Sequence, residues 1–237
     1  MTMSEARSAF NLADRLAIAV LAAVAIAAAL TFKDYGLGWD DYTHSQYGEL
    51  LLKLYGSGFS DTRVFSFVNL FMYGGGFDMA AALAAKILPF DLFETRRLIG
   101  AAIGVLGLFA TWRLGRRLGG PNAGFWALVL LASCPLYYGH MYLNAKDSPF
   151  ATAMIFLLLG AVRTFDEYPT PSRRSMVLIG VALGAAFGSR ILALVAVPYL
   201  VAGLLLIVFE ETRTRGLRYA GARICLLYTS PSPRDCS

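Results

Sequence analysis

Three aspartates carry most of the chemistry open to this sequence. Asp40 and Asp41 are adjacent in Gly38-Trp39-Asp40-Asp41-Tyr42-Thr43-His44, and Asp147 lies in Asn144-Ala145-Lys146-Asp147-Ser148-Pro149. Neighbouring residues on a helix point about 100° apart, so the pair can address one point only from a turn or a helix start. A carboxylate held there can take a proton from a hydroxyl, and two of them can ligate a cation. Each acid also has a plainer reading, because acids are favoured at helix N-termini as caps and dipole partners. For two acids flanked by Trp39 and Tyr42 the functional reading is the stronger. For Asp147, next to a Ser-Pro that suits a first helical turn, capping and function stand level until its position relative to the pair is known.

Cations and hydrogen-bond donors accompany these acids. Asn144 and Lys146 offer a neutral donor and a charge to a phosphate or to sugar hydroxyls. Arg190, in Gly188-Ser189-Arg190-Ile191, interrupts two long apolar runs. An arginine at a membrane boundary is a functional candidate, and its guanidinium matches phosphate oxygens two at a time; the plainer reading is a loop charge. Arg96 and Arg97 open another apolar run and are tolerable there if they bind something anionic. Tyr73, Tyr137, Tyr138 and Tyr142 read as interface anchors or as groups that stack on a sugar. His44 and His140 lack ligand spacing and read first as hydrogen-bonded loop residues. If the site takes a divalent metal ion, Asp41 and Asp147 are the acids to hold it; no other cofactor is implied.

The elements that must position these groups are apolar. Of 237 residues, 57% are hydrophobic and 16% charged, against about a quarter charged in a soluble domain, so the chain is an integral membrane protein. Apolar runs cover about residues 16–32, 98–112, 123–138, 150–162, 176–188 and 191–209. The expected fold is an all-α polytopic bundle of about six transmembrane helices with juxtamembrane helices outside. More apolar runs follow the first one, so it reads as an uncleaved helix and not as a signal peptide. Residues 42–55 carry Tyr47, Leu50, Leu51 and Leu54 at helical spacing, which predicts an amphipathic helix on the membrane surface.

Residues 64–90 decide the topology. They are apolar enough to span, but contain Asn69, Gly74-Gly75-Gly76, Asp78 and Lys86, which are costly in hydrocarbon. If they do not span, the basic clusters at Arg113/Arg116/Arg117, Arg163/Arg173/Arg174 and Arg213/Arg215/Arg218/Arg223 fall on the cytoplasmic side with Arg7. If they span, all three fall outside. The segment is therefore read as re-entrant or surface-lying, which gathers Asp40, Asp41, Asp147 and Arg190 on the outer face of a cytoplasmic membrane, with the N-terminus inside.

The net charge of +5 sits in short runs between apolar segments, so nucleic acid is not an expected partner. No Walker or Rossmann glycine pattern is present. Cys225 to Asp235 reads CLLYTSPSPRD, which resembles the read-through translation of a sequencing-library adapter; residues 225–237 are therefore set aside and natural sequence is expected to end near Ile224. That leaves Cys134 alone, which supports neither a disulfide nor a thiolate metal site.

The acidic pair after the first helix, Arg96-Arg97-Leu98, Leu114-Gly115-Arg116-Arg117-Leu118-Gly119-Gly120, Cys134-Pro135-Leu136 and Asn144-Ala145-Lys146-Asp147-Ser148-Pro149-Phe150 together resemble the polytopic GT-C glycosyltransferases. The nearest likeness is to the bacterial protein O-mannosyltransferase and aminoarabinose-transferase group, and 1–224 reads as the N-terminal part of such a domain. The resemblance implies a sugar moved from a polyprenyl-phosphate donor to a hydroxyl of a protein, lipid or glycan acceptor at the outer membrane face. It implies Asp40 as general base, Asp41 and Asp147 in support, and Asn144, Lys146, Arg190, Arg96 and Tyr73 as substrate contacts. Where the family has Lys-Pro-Pro in the first outer loop, this chain has Ser66-Phe67-Val68-Asn69-Leu70. A transporter or flippase for a lipid-linked or anionic substrate is the alternative; such proteins place charges near the midplane, often within inverted repeats, and neither is seen here. A non-catalytic assembly partner is a third reading.

Overall fold

In the computed structural model, which describes residues 11–228, every regular element is helical. Helix α1 (Leu12–Thr31) starts in a reciprocal cap: the Asn11 side chain accepts from the Asp14 backbone and the Asp14 carboxylate accepts from that of Asn11. Helix α2 (Asp41–Gly56) follows the acidic pair. Two short 3-10 turns, Arg63–Ser66 and Leu70–Met72, lead to α3 (Gly76–Ala84). The long α4 (Leu92–Gly119) is capped by the Asp91 side chain on the Glu94 N–H at 2.7 Å. Then come α5 (Pro121–Ala132), α6 (Pro135–Leu143), α7 (Asp147–Asp166), α8 (Arg173–Ser189), a 3-10 turn Ile191–Val195, α9 (Ala196–Arg215) and α10 (Leu217–Tyr228).

Four of these stretches are long and apolar enough to cross a membrane: Leu12–Thr31, Leu92–Gly119, Asp147–Asp166 and Ile191–Arg215. The other two expected runs, 123–138 and 176–188, are carried by shorter helices that lead from the Arg116 end of the bundle back to the Asp147 and Arg190 end. The run at 123–138 is not one helix: it breaks at Ser133-Cys134 and restarts with Pro135 at the first helical position, because proline lacks the N–H that would continue the preceding helix. The resulting α5 has 12 residues and continues into α6, and α8 has 17, about the lower limit for a span. Residues 64–90 likewise form no long helix. The two 3-10 turns fold back onto α2, where Val64 and Leu70 are buried with Tyr47 and Leu54, leaving the nine-residue α3 as its only α-helix.

Helix α4 is the central post, in contact with α1, α3, α5, α6 and α7. Its glycines let α6 lie against it: a methyl group at Gly100 would run into the Met141 carbonyl oxygen, and one at Gly104 into the Met141 side chain. At one end of the bundle Arg116 grips Asp14, which is fully buried, through Nε at 2.7 Å and Nη2 at 3.1 Å, and Arg117 pairs with Asp166. Arg113 and Arg163 belong to the same end. At the other end, Arg97 donates to the carbonyls of Phe32 and Gly36, and Tyr35 stacks on Tyr142 at 3.9 Å, so the link from α1 to α2 is tied down. Arg7 and residues 229–237 of the set-aside tail lie outside the described residues.

Candidate functional site

The tied link ends in a turn that presents the acidic pair. The Asp41 Oδ2 accepts from the Gly38 N–H at 2.7 Å, closing the turn at the start of α2, where the helix dipole also favours an acid. Asp41, which is buried, thus has a structural task in the turn, although the helix start has no side-chain cap hydrogen bond. Asp40 is different: it is exposed, makes no side-chain capping bond, and its carboxylate has no hydrogen-bond or ion-pair partner among the described residues.

Asp147 arrives from the other side, at the start of α7. Asn144 shapes its loop, accepting from the N–H groups of Lys146 (3.1 Å) and Asp147 (2.7 Å) and donating to Asp147 Oδ2 (2.9 Å). Arg190, at the end of α8, reaches Asp147 Oδ1 with Nη2 at 2.6 Å. Lys146 lies over the Tyr73 ring, 4.1 Å from its centre. A methyl at Gly74 would collide with the Gly188 backbone, so only glycine lets the loop bearing Tyr73 approach the strip before Arg190 this closely.

These groups share one cavity of about 310 Å³. Its walls include all three predicted acids, the cations Lys146 and Arg190, and Asn144 and Tyr73. His44 also lines it, whereas His140 is exposed on α6 beside Asn144. Of the predicted site residues only Arg96 stays off the wall; it is buried behind it, with Nε 3.9 Å from Asp41 Oδ1. The tyrosines Tyr137 and Tyr142 are packing groups, one donating to the Gly104 carbonyl at 2.7 Å and the other buried against Tyr35 and Tyr138.

The electrostatics follow from this crowding. Withdrawal from water lowers the pKa of Lys146 below the usual lysine value; Asp40, Asp78 and Asp147 pull it back up, and Arg190 adds to the fall. Asp41 and Asp147 fit a metal ion poorly. Each already faces a guanidinium, His44 is bonded to Asp78, and no group of three or more His, Cys, Asp or Glu among the described residues is placed to hold one.

Sequence reasoning did not pair Asp78 with the buried groups behind the cavity, and it undervalued Arg97. The signal for Asp78 was present: an acid inside an apolar stretch implies a buried partner, here Arg96 and His44.

A second, apolar cavity of about 530 Å³ opens among α3, α4, α7 and α8 and reaches Gly188 and Ser189, the residues immediately before Arg190. The model of one protein family, described as dolichyl-phosphate-mannose-protein mannosyltransferase, matches residues 76–232. No curated protein and no solved structure matches the chain.

Proposed function

From the premise that the chain belongs to the dolichyl-phosphate-mannose-protein mannosyltransferase family, we propose that it moves a sugar from a polyprenyl-phosphate donor to an acceptor hydroxyl at the outer face of a cytoplasmic membrane. One observation carries the reading. The acids and cations chosen from sequence line one polar cavity, and an apolar cavity ends one residue from its Arg190. A lipid-linked sugar phosphate needs that pairing, a polar chamber for its head and an apolar groove for its chain.

The three acids divide the work. Asp40, with its carboxylate unengaged, takes the proton from the acceptor hydroxyl. The acceptor oxygen then bonds to the anomeric carbon as the bond from that carbon to the phosphate oxygen breaks, and the electron pair leaves with the phosphate. Negative charge grows on the phosphate during this step, where preorganised donors stabilise it most; Arg190 and Lys146 are the cations on the wall. Asp41 fixes the turn beneath Asp40, and Asp147 holds Arg190. The transporter alternative loses ground to the family match and to the position of these charges at the ends of helices.

The test is Asp40→Asn in the full chain, assayed with a polyprenyl-phosphate mannose. Loss of a general base is worth roughly 10²–10⁴ in rate, so transfer should fall by that factor with donor binding kept. Transfer near the unsubstituted rate would remove Asp40 from its role.

A further inference from the structure

Behind the cavity wall stand charged groups that the proposed reaction has not used. Asp78, on α3, accepts from Arg96 Nη2 at 2.9 Å and lies 2.7 Å from His44 Nδ1. All three are deeply buried, with relative exposures of 2%, 3% and 3%. Burial of a carboxylate at this depth is costly unless charge and hydrogen bonds compensate it, and α3 is otherwise anchored by apolar Phe77, Ala81 and Ala82. Arg96 does more than neutralise Asp78. Its Nε and Nη1 are buried with no hydrogen-bond partner, and the second carboxylate within ion-pair distance is that of Asp41. Asp41, through Gly38, closes the turn that carries Asp40. A chain of contacts thus runs from α3 through α4 to the acidic pair.

We propose that Asp78 is a positioning residue of the transfer reaction: by holding Arg96 it fixes Asp41, and through Asp41 the turn that presents Asp40 to the cavity. The inference rests on the reading of Asp40 as base. Asp78 does not itself line the cavity; its grip on the turn that carries Asp40 passes through Arg96. His44, whose ring is held by the same carboxylate, is oriented on the wall by the same grip.

The experiment is a double-mutant cycle on the full chain, with Asp78→Asn, Arg96→Gln and their combination, and Asp40→Asn in parallel. Misplacement of a reacting group by about 1 Å costs on the order of 10²-fold in rate, so Asp78→Asn should lower kcat by roughly 10- to 100-fold with KM for the donor unchanged. In the Arg96→Gln background the same change should cost nothing further, and that combination, which leaves no unmatched arginine, should fold at least as well as either single variant. A merely structural Asp78 predicts additive losses, or recovery of kcat along with stability, and either result overturns the proposal. If Asp78→Asn does not fold, Asp78→Glu serves instead: it keeps the charge but moves the guanidinium, and should still lower kcat, whereas unsubstituted kcat would defeat the idea. Loss of activity in Asp40→Asn with full activity in the Asp78 variants would sink this inference alone. Retained activity in Asp40→Asn would sink the reading beneath it.

Discussion

Arg190 Nη2 stands 2.6 Å from Asp147 Oδ1, joining the end of α8 to the start of α7 on the wall of the polar cavity. The pair is half exposed on the Asp147 side, so as an ion pair alone it adds little stability. Its consequence is geometric, since it keeps a guanidinium at the cavity wall. Arg190→Ala should therefore leave thermal stability nearly unchanged and reduce kcat/KM for the donor by roughly 10- to 100-fold, the range of a lost charge-assisted hydrogen bond of about 1.5–3 kcal/mol. Arg190→Lys should recover part of that, since an ammonium supplies the charge without the two-pronged geometry. A large loss of stability with unaltered kinetics would assign the pair to the scaffold instead.

Lys146 gives a pH signature. Its pKa is lowered, first by withdrawal from water, so its charge is lost at a lower pH than that of an ordinary lysine. As pH rises through that lowered value the cavity loses a positive charge, and KM for a phosphate-bearing donor should rise. In Lys146→Arg, where the cation does not titrate in the accessible range, KM should stay flat over the same interval. Donor titrations at several pH values in both proteins check this; parallel curves would place the titration elsewhere.

Much of the site could be read from residue types alone, because charges inside an apolar sequence are few and each must be accounted for. Counting the arginine clusters was enough to put Asp147 on the same end of the bundle as Asp40 and Asp41, and Lys146, Arg190 and Tyr73 came with them. What the sequence could not separate was the state of each acid. Asp41 is engaged by the Gly38 N–H and Asp147 by Arg190, while Asp40 is not, and that distinction depends on a turn and on a helix end distant in sequence. Asp78 was visible only as a costly residue, since its partners lie 18 and 34 positions away. Hydropathy also runs straight through Ser133–Pro135 and so could not show the break that the proline imposes on the backbone there.

The pairing of Asp41 and Asp147 with guanidinium groups also predicts the response to chelation. A divalent ion would have to displace Arg96 or Arg190 from carboxylates they already face, and hard cations such as calcium take about six or more oxygen ligands. Treatment of the full chain with EDTA, followed by assay in metal-free buffer, should leave transfer unchanged. A loss reversed by added magnesium or manganese would show that the acids rearrange to bind a metal.

The approach of α6 to α4 at Gly100 ties the fold to the site. An added methyl there meets the Met141 carbonyl oxygen, a backbone atom that cannot turn aside, so α6 itself must shift. Helix α6 ends at Leu143 and hands directly to Asn144, Lys146 and Asp147. Gly100→Ala should thus destabilise by about 1–3 kcal/mol, the usual range for overpacking, and also weaken donor binding by displacing the cavity wall. Gly180→Ala is the control: it lies on α8 with open space where its methyl would go, and alanine is the better helix former. Thermal unfolding and donor titration of both variants give the answer. Equal behaviour of the two would mean that the α4–α6 contact yields to the added methyl, whereas paired losses in Gly100→Ala alone would show that the position of α6 sets the geometry of the cavity.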